Sequence, residues 1–252
     1  MNTKPSIYVG IPAFGGMLHA DFAMSLFGLG RQLSKLGIPT SIDIASDMMV
    51  TLARNYLANR FLRSAATHLL FVDADIVFRP DDVVKMIETQ KDVIGLPCSK
   101  KMIDWRMIQR AFQAGVHPET MSQIAGGDLC LNLLLDNPPR HFDLDKLLEV
   151  KAIGTGVMLI SRQVFSKLAD RHPEWRLKDD EGKPVFAFFQ PGIDEETRQY
   201  LTEDYWFCHQ WRKLGGHIYC LPSAVTRHIG RQEFICNIAA MKALEQAVAQ
   251  VG

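Results

Sequence analysis

The chain carries no surplus of charge: 28 Lys and Arg residues balance 28 Asp and Glu in 252 residues. It therefore has no global field of the kind that draws a protein to nucleic acid or to an anionic membrane, and only a local basic patch could do so. No window approaches the roughly 18 to 20 apolar residues that span a bilayer. The opening stretch, MNTKPSIYVGIPAF, has too short an apolar run to act as a secretory signal. The five cysteines (Cys98, Cys130, Cys208, Cys220, Cys236) include no Cys-x-x-Cys pair, which argues against a zinc ribbon or a disulfide framework. Internal repeats and low-complexity segments are absent as well. What is left is a globular composition, 47% hydrophobic and 22% charged, long enough to bury a substantial core. The expectation is a soluble, cytoplasmic protein.

The first half alternates short apolar runs with helical patterns. Residues 6–11 (SIYVGI) read as a buried strand ending at Pro12, and residues 20–36 as a helix stopped by Gly37 and Pro39. Residues 40–44 alternate like a strand. Ser46 and Asp47 then offer N-cap chemistry to a helix with Ala53, Leu57, Phe61 and Ala65 along one face. Residues 68–72 (HLLFV) form the next strand and run straight into Asp73-Ala74-Asp75. Pro80, Asp81 and Asp82 start another helix, and residues 92–96 add a strand. Such alternation predicts an α/β fold, a mostly parallel mixed sheet flanked by helices, with ligands beyond the carboxyl ends of its strands.

From residue 99 to about 150 the pattern weakens, with Gly126-Gly127 and Pro138-Pro139, and reads as an acceptor-side insertion within a domain spanning 1–234. Residues 151–160 (KAIGTGVMLI) restore strand character, with Gly154-Thr155-Gly156 opening a strand over 157–160 and Ser161 capping a helix. Thr202-Glu203-Asp204 opens a further helix, a strand covers 217–221, and His228 falls in a loop. Residues 235–252 read as a C-terminal helix with Ile238, Met241, Leu244 and Val248 on one side, a surface open to homo-oligomer formation.

Three groups carry the chemistry. Asp73 and Asp75 end a buried strand, where two carboxylates can share one hard divalent ion or can equally make a solvated turn. Glu203 and Asp204 open a helix; they complement its dipole, or one of them accepts a proton from an attacking hydroxyl. His228 is either a surface residue or, on a loop returning to the acids, an imidazole completing a metal site with Asp75. Gly154 and Gly156 permit close approach of a bound sugar or form a packing bulge. Arg54, off the apolar face of its helix, pairs with a diphosphate or is solvated. Trp211, seven residues after Asp204, reads as core. Lys100, Lys101, Trp105, Arg106 and Arg110 form a basic, aromatic cluster: a solvated face, or a contact for phosphates or acceptor.

Taken in order, SIYVGIPAF, LARNYLANRFL, HLLFVDADIVFRPDDVVKMI, GTGVMLISRQVF, TEDYWFCHQWRKLGG and the late TRHIG resemble the GT-A class of glycosyltransferases, near its family-2-like group. The resemblance runs from residue 7 to about 228. It implies a GT-A fold and a metal-dependent enzyme moving a sugar from a nucleotide-diphosphate donor, UDP-sugar favoured, to an acceptor hydroxyl. Asp75 and His228 would hold Mn2+ or Mg2+, with Asp73 on the metal or the donor ribose. Asp204 would be the base of an inverting transfer and Glu203 would orient a substrate. Pro12, Ala13 and the loop to Gly16 would lie near the nucleotide base, with Asp43 or Asp47. A glycan, a lipid-linked molecule or a small molecule would serve as acceptor, with nucleic acid as a further candidate. The Gln-x-x-Arg-Trp motif of processive synthases is missing, which implies single additions.

Two other readings compete. A haloacid-dehalogenase-type phosphatase would also place an Asp-x-Asp after a strand, but on its first strand, and two strand-helix units come before Asp73 here. A catalytically silent nucleotide-sugar-binding protein would retain the fold without turnover.

Overall fold

A computed structural model of the chain describes residues 4–121, 123–124, 128–134, 143–179, 181–230 and 233–251, with backbone alone at 233–234, 245 and 247–251. The Gly126-Gly127 and Pro138-Pro139 pairs lie outside the described residues, as does the side chain of Val248.

In chain order the elements are β1 (Ile7–Ala13), α1 (Ala20–Lys35), β2 (Thr40–Ser46), α2 (Val50–Arg63), β3 (His68–Val72), β4 (Ile76–Val77), α3 (Pro80–Glu88) and β5 (Val93–Gly95). Then come α4 (Trp105–Gln113), α5 (Pro118–Met121), β6 (Leu131–Leu133), β7 (Leu148–Ile153), β8 (Val157–Ser161) and α6 (Arg162–Arg171). The chain continues through β9 (Arg176–Lys178), β10 (Pro184–Phe186), β11 (Gly192–Ile193), β12 (Tyr200–Leu201) and α7 (Glu203–Lys213). It closes with β13 (Tyr219–Cys220), β14 (Val225–Ile229), β15 (Glu233–Asn237) and α8 (Ile238–Val251).

Eight strands form the central sheet in the order β2-β1-β3-β8-β5-β13-β7-β6. Only β8 and β7 run against the rest, so the sheet is mixed but mostly parallel, as the alternation predicts. Side chains alternate across a strand, and both faces here are buried. Ile7, Val9 and Ile11 of β1 join Leu70 and Val72 of β3 beneath α1 and α3, with Phe22, Leu29, Val83 and Met86. Leu69 and Phe71 face the other way, toward α2, α6 and α7, and meet Leu57, Phe61, Phe165, Phe207 and Trp211. Trp211 is thus core. On that side, Asn55 and Asn59, one turn apart on α2, pair with the backbone of the segment leading to α7. Asn55 exchanges bonds with Phe189 at 2.7 and 2.8 Å, and Asn59 with Phe186 at 2.9 and 2.8 Å. Each amide mimics a peptide, Asn59 at the end of β10 and Asn55 on the backbone just beyond it.

A small satellite core joins the 99–150 insertion to the chain's end: Ala111 of α4 and Leu244 of α8 bury Ile124, with Met107, Met121 and Met241 around them. The apolar face of α8 thus packs within the chain at Ile238, Met241 and Leu244.

Several boundaries differ from the sequence expectation. Residues 151–160 fall in two strands on either side of Gly154–Gly156, β8 starting at Val157 as expected; β7 pairs with β13 and β6, β8 with β3 and β5. Gly154 sits so close to Cys130, and Gly156 to Cys98, that an added Cβ would lie 3.0 Å from either side chain. Ser161 does not cap α6, because its hydroxyl bonds Asp92 at 2.6 Å. Neither Ser46 nor Asp47 caps α2: β2 continues through Ser46, Asp47 takes a left-handed φ of 57°, and Met49 precedes the helix. Residues 235–237 belong to β15 rather than to the terminal helix, and His228 lies in β14 rather than in a loop.

Candidate active site

The pleat of β3 determines where its acids go. Leu69 and Phe71 face α2 and α7, and Asp73, two residues further, meets that same layer at Arg54. Its backbone N–H donates to the Gly156 carbonyl at 2.9 Å, so the glycine break between β7 and β8 holds the acid's main chain. The chain then turns, Ile76 N–H donating to the Asp73 carbonyl at 3.0 Å, and Asp75 emerges in a different environment.

Arg54 is the hub of the inner group. Only 5% exposed, it donates through Nη2 to Asp73 at 3.3 and 3.4 Å and through Nη1 to Glu203 at the start of α7. Burial works against its charge, but the carboxylates of Asp73, Glu203 and Asp204 outweigh burial and hold the guanidinium above its ordinary value. Glu203 is raised, first by burial and then by the neighbouring charge of Asp204, with Arg54 opposing. The Arg54 Nε and the Thr155 hydroxyl are buried without a hydrogen-bond partner among the described residues.

Asp204 opens the same helix half-buried. One carboxylate oxygen accepts from the Thr202 hydroxyl at 2.5 Å and from the Tyr205 N–H at 2.8 Å. A Cβ on Gly154 would lie 3.5 Å from the other oxygen, so that glycine borders the free side of the acid.

The outer group is built by strand pairing. β14 runs antiparallel to β4 with His228 opposite Ile76, and Ile229 N–H donates to the Asp75 carbonyl at 2.8 Å. That register puts His228 Nε2 3.5 Å from Asp75 Oδ1, while Nδ1 lies 2.8 Å from the Ser99 carbonyl. The carbonyl is an acceptor, which puts a proton on Nδ1 and turns Nε2 toward Asp75. Lys101 donates to the second oxygen of Asp75. Burial pushes the Asp75 carboxyl up, but the imidazole and the ammonium override it and hold the group down at about 2.

A cleft of about 630 Å3 lies in front, lined by Pro12, Phe14, His19, Asp73, Asp75 and His228 among others. Phe14 stands at its mouth, 85% exposed, followed by Gly15 and Gly16 with φ of 66° and 65°. Ala13 is buried in β1 and Asp47 is exposed beyond β2; neither lines the cleft. Glu203 and Asp204 are also absent from its lining; Glu203 joins it through Arg54 and Asp73, while Asp204 lies beside Glu203 at the start of α7. Arg54 is therefore not solvated: two carboxylates engage it. Among the described residues, no cluster of three or more His, Cys, Asp or Glu side chains is placed to hold a metal ion.

Three contacts in this site have no sequence counterpart. Lys101 on Asp75 joins residues 26 apart, Ser99 orients His228 across 129 positions, and Thr202 braces Asp204. Only Thr202, a hydroxyl just ahead of paired acids, carried a local signal.

No family model matches the chain, and no curated protein matches it. Among solved structures, A197 from STIV is 16% identical over 92% of this chain and 94% of its own, with a TM-score of 0.49. A UDP-glucose pyrophosphorylase complexed with UDP-glucose is 9% identical over 98% of both chains, TM-score 0.42. The inositol-1-phosphate CTP transferase from T. maritima is 10% identical over 99% and 98%, TM-score 0.41. Among the described residues, no helix is long and apolar enough to cross a membrane.

Proposed function

We propose that the chain is a glycosyltransferase that moves a sugar from a nucleotide-diphosphate sugar, a UDP-sugar first, to an acceptor hydroxyl. The observation that carries this reading is the β14–β4 register, which sets an imidazole nitrogen beside Asp75 at the mouth of a cleft that also contains Asp73. The ordered motifs of the GT-A class support it, since each supplies one piece of that arrangement.

The donor atoms fit a divalent ion held by few protein groups. Asp75 and His228 offer one carboxylate and one imidazole, with Asp73 in the same cleft, and donor phosphates and water would complete the shell. A mixed oxygen and nitrogen pair suits Mn2+ better than Mg2+. Lys101 already places a positive charge on Asp75, where a cation belongs. When bound, the metal would neutralise the negative charge that develops on the leaving diphosphate.

The chain's own groups do the rest. Asp204, with one oxygen braced by Thr202 and Tyr205, keeps the other for the acceptor's proton and is the base of an inverting transfer. Glu203 positions Arg54, and through it Asp73, rather than moving a proton. Pro12, the backbone of Ala13 and the exposed Phe14 take the nucleotide, with Asp47 at the rim. Gly154, which borders the free oxygen of Asp204, and Gly156 would lie nearest the sugar, with the buried, unpartnered Arg54 Nε and Thr155 hydroxyl behind them. Glycans, lipid-linked molecules and small molecules are the acceptor classes proposed, with nucleic acid behind them.

The reading is tested by screening UDP- and GDP-sugars for thermal stabilisation with Mn2+ or EDTA. A donor present at a hundred times its Kd stabilises the native state by about 2.7 kcal/mol. The expected result is a rise for one nucleotide class that EDTA removes; no rise with any donor overturns the assignment.

A further inference from the structure

A second cavity, of about 270 Å3, opens on the flank of α7, lined by none of the residues assigned above to donor, metal or base. Four α7 residues reach it, Tyr205, His209, Arg212 and Lys213, at the spacing i, i+4, i+7 and i+8 that defines one helix face. Asn132 of β6 and Lys151 and Ala152 of β7 line it from the sheet, and the rest comes from the β11–β12 hairpin. That hairpin is seated tightly: a Cβ on Gly192 would lie 2.3 Å from the Trp206 ring.

The lining is cationic and incompletely paired. Neither Lys151 nor Lys213 has a carboxylate partner among the described residues. Arg212 Nη1 is 3.7 Å from Glu149, too far for a hydrogen bond; it and His209 Nε2 are buried with no hydrogen-bond partner among the described residues. Asp194 engages its own loop through Oδ1, which accepts from the N–H groups of Glu196 and Thr197 at 3.0 and 3.3 Å, and its Oδ2 lies 4.0 Å from His209 Nδ1. Glu196 is the other acid in the lining, and it is exposed. Burial, with Lys213 and Lys151 close by, holds the His209 imidazole below its ordinary value. Buried donors without acceptors are costly, and a multivalent oxyanion is the ligand that satisfies several at once.

We propose that this cavity binds the phosphate of a phosphorylated acceptor. The word acceptor rests on the transferase reading; the anion does not. Asp204 and the residues 212–213 lie on one helix with a rise of 1.5 Å per residue, so phosphate and reacting hydroxyl would stand on the order of 10 Å apart. The small volume suits one phosphate and part of its carrier rather than a whole nucleotide.

The experiment titrates inorganic phosphate and glucose 6-phosphate into the full chain without metal or donor, following the His209 ring by NMR and the heat of binding by calorimetry. Both probes are expected to saturate. Lys151→Gln with Lys213→Gln is expected to weaken them about tenfold or more, while Arg at both positions retains affinity within about threefold. Binding that fails to saturate, or that is indifferent to the double Gln variant, overturns the site. Saturable binding of inorganic phosphate with exclusion of the ester overturns the acceptor assignment. UDP-sugar hydrolysis by the same preparation, with Mn2+ added, separates the two claims. Hydrolysis without phosphate binding sinks this site alone, and phosphate binding without hydrolysis with any donor sinks the transferase reading alone.

Discussion

Asp73 and Asp75 are two residues apart on one chain turn, yet they occupy opposite electrostatic situations. Asp73 shares a buried guanidinium with Glu203 in a layer packed between α2 and α7. Asp75 faces an open cleft with an imidazole and a mobile-stemmed ammonium for company. The first arrangement is structural in its energetics: a buried charge without its partner costs several kcal/mol, so the three groups stand or fall together. The second is replaceable, since an exposed ion pair contributes little and its cation can be exchanged. A short Asp-x-Asp thus serves two ends, one acid anchoring the helix that carries Asp204 and the other remaining available to a ligand.

The comparison breaks first at Arg54. Arg54→Met leaves the buried Glu203 and the partly exposed Asp73 uncompensated and is expected to cost about 3–5 kcal/mol in urea denaturation, whereas Lys101→Met stays within about 1 kcal/mol. Equal costs would erase the distinction between the two acids. Gly154→Val comes next. Its new side chain meets Cys130 at 3.0 Å and crowds the free oxygen of Asp204, for a loss of about 1–3 kcal/mol and slower donor hydrolysis. A variant as stable and as active as the parent would show that the space beside Asp204 is idle.

Lys101→Met sharpens the comparison from the other side. Removing the resident cation is expected to tighten Mn2+ binding by roughly fivefold, near 1 kcal/mol, in a metal titration of the donor-free protein. Weaker Mn2+ binding would make Lys101 a support of the site rather than an occupant. The smallest effect is reserved for Tyr8, whose hydroxyl donates to Asp43 beside Arg60, away from both acids. Burial first, then the bond to Asp43, pushes its phenol from 10.0 up to about 12. A raised value favours the protonated native form, so this stabilisation is whole below pH 10 and is lost as pH rises through about 12. Tyr8→Phe should therefore flatten the fall in stability between those values in pH-dependent melting; an unchanged slope would remove Tyr8 from the account.

The layers of the fold could be read because period-two and period-3.6 patterns survive in short windows: β3, α1 and α3 lie where apolar spacing and caps put them. The site could be read only in part. Asp73, Asp75, Glu203 and Asp204 announce themselves at the ends of elements. His228 is legible as a candidate but its place is not, since a five-residue strand with Thr226, Arg227 and His228 in it resembles a polar loop until β4 supplies its partner. The division at Gly154–Gly156 shows in the glycines themselves, but the separate partners of β7 and β8 do not, because they are set by pairing with distant strands. Arg54 looks like a solvated residue on the polar side of α2 because the acids that bury it lie 19 and 149 positions away.

Everything proposed for the cleft meets in one comparison of Asp75→Asn with Asp204→Asn, measuring Mn2+-dependent binding and hydrolysis of the best-bound UDP-sugar. The account predicts that Asp75→Asn loses the Mn2+ dependence of binding. Asp204→Asn is predicted to bind donor as the parent does and to turn over between about a hundredfold and ten-thousandfold more slowly. Unchanged Mn2+ dependence in the first variant, or parental turnover in the second, would contradict it.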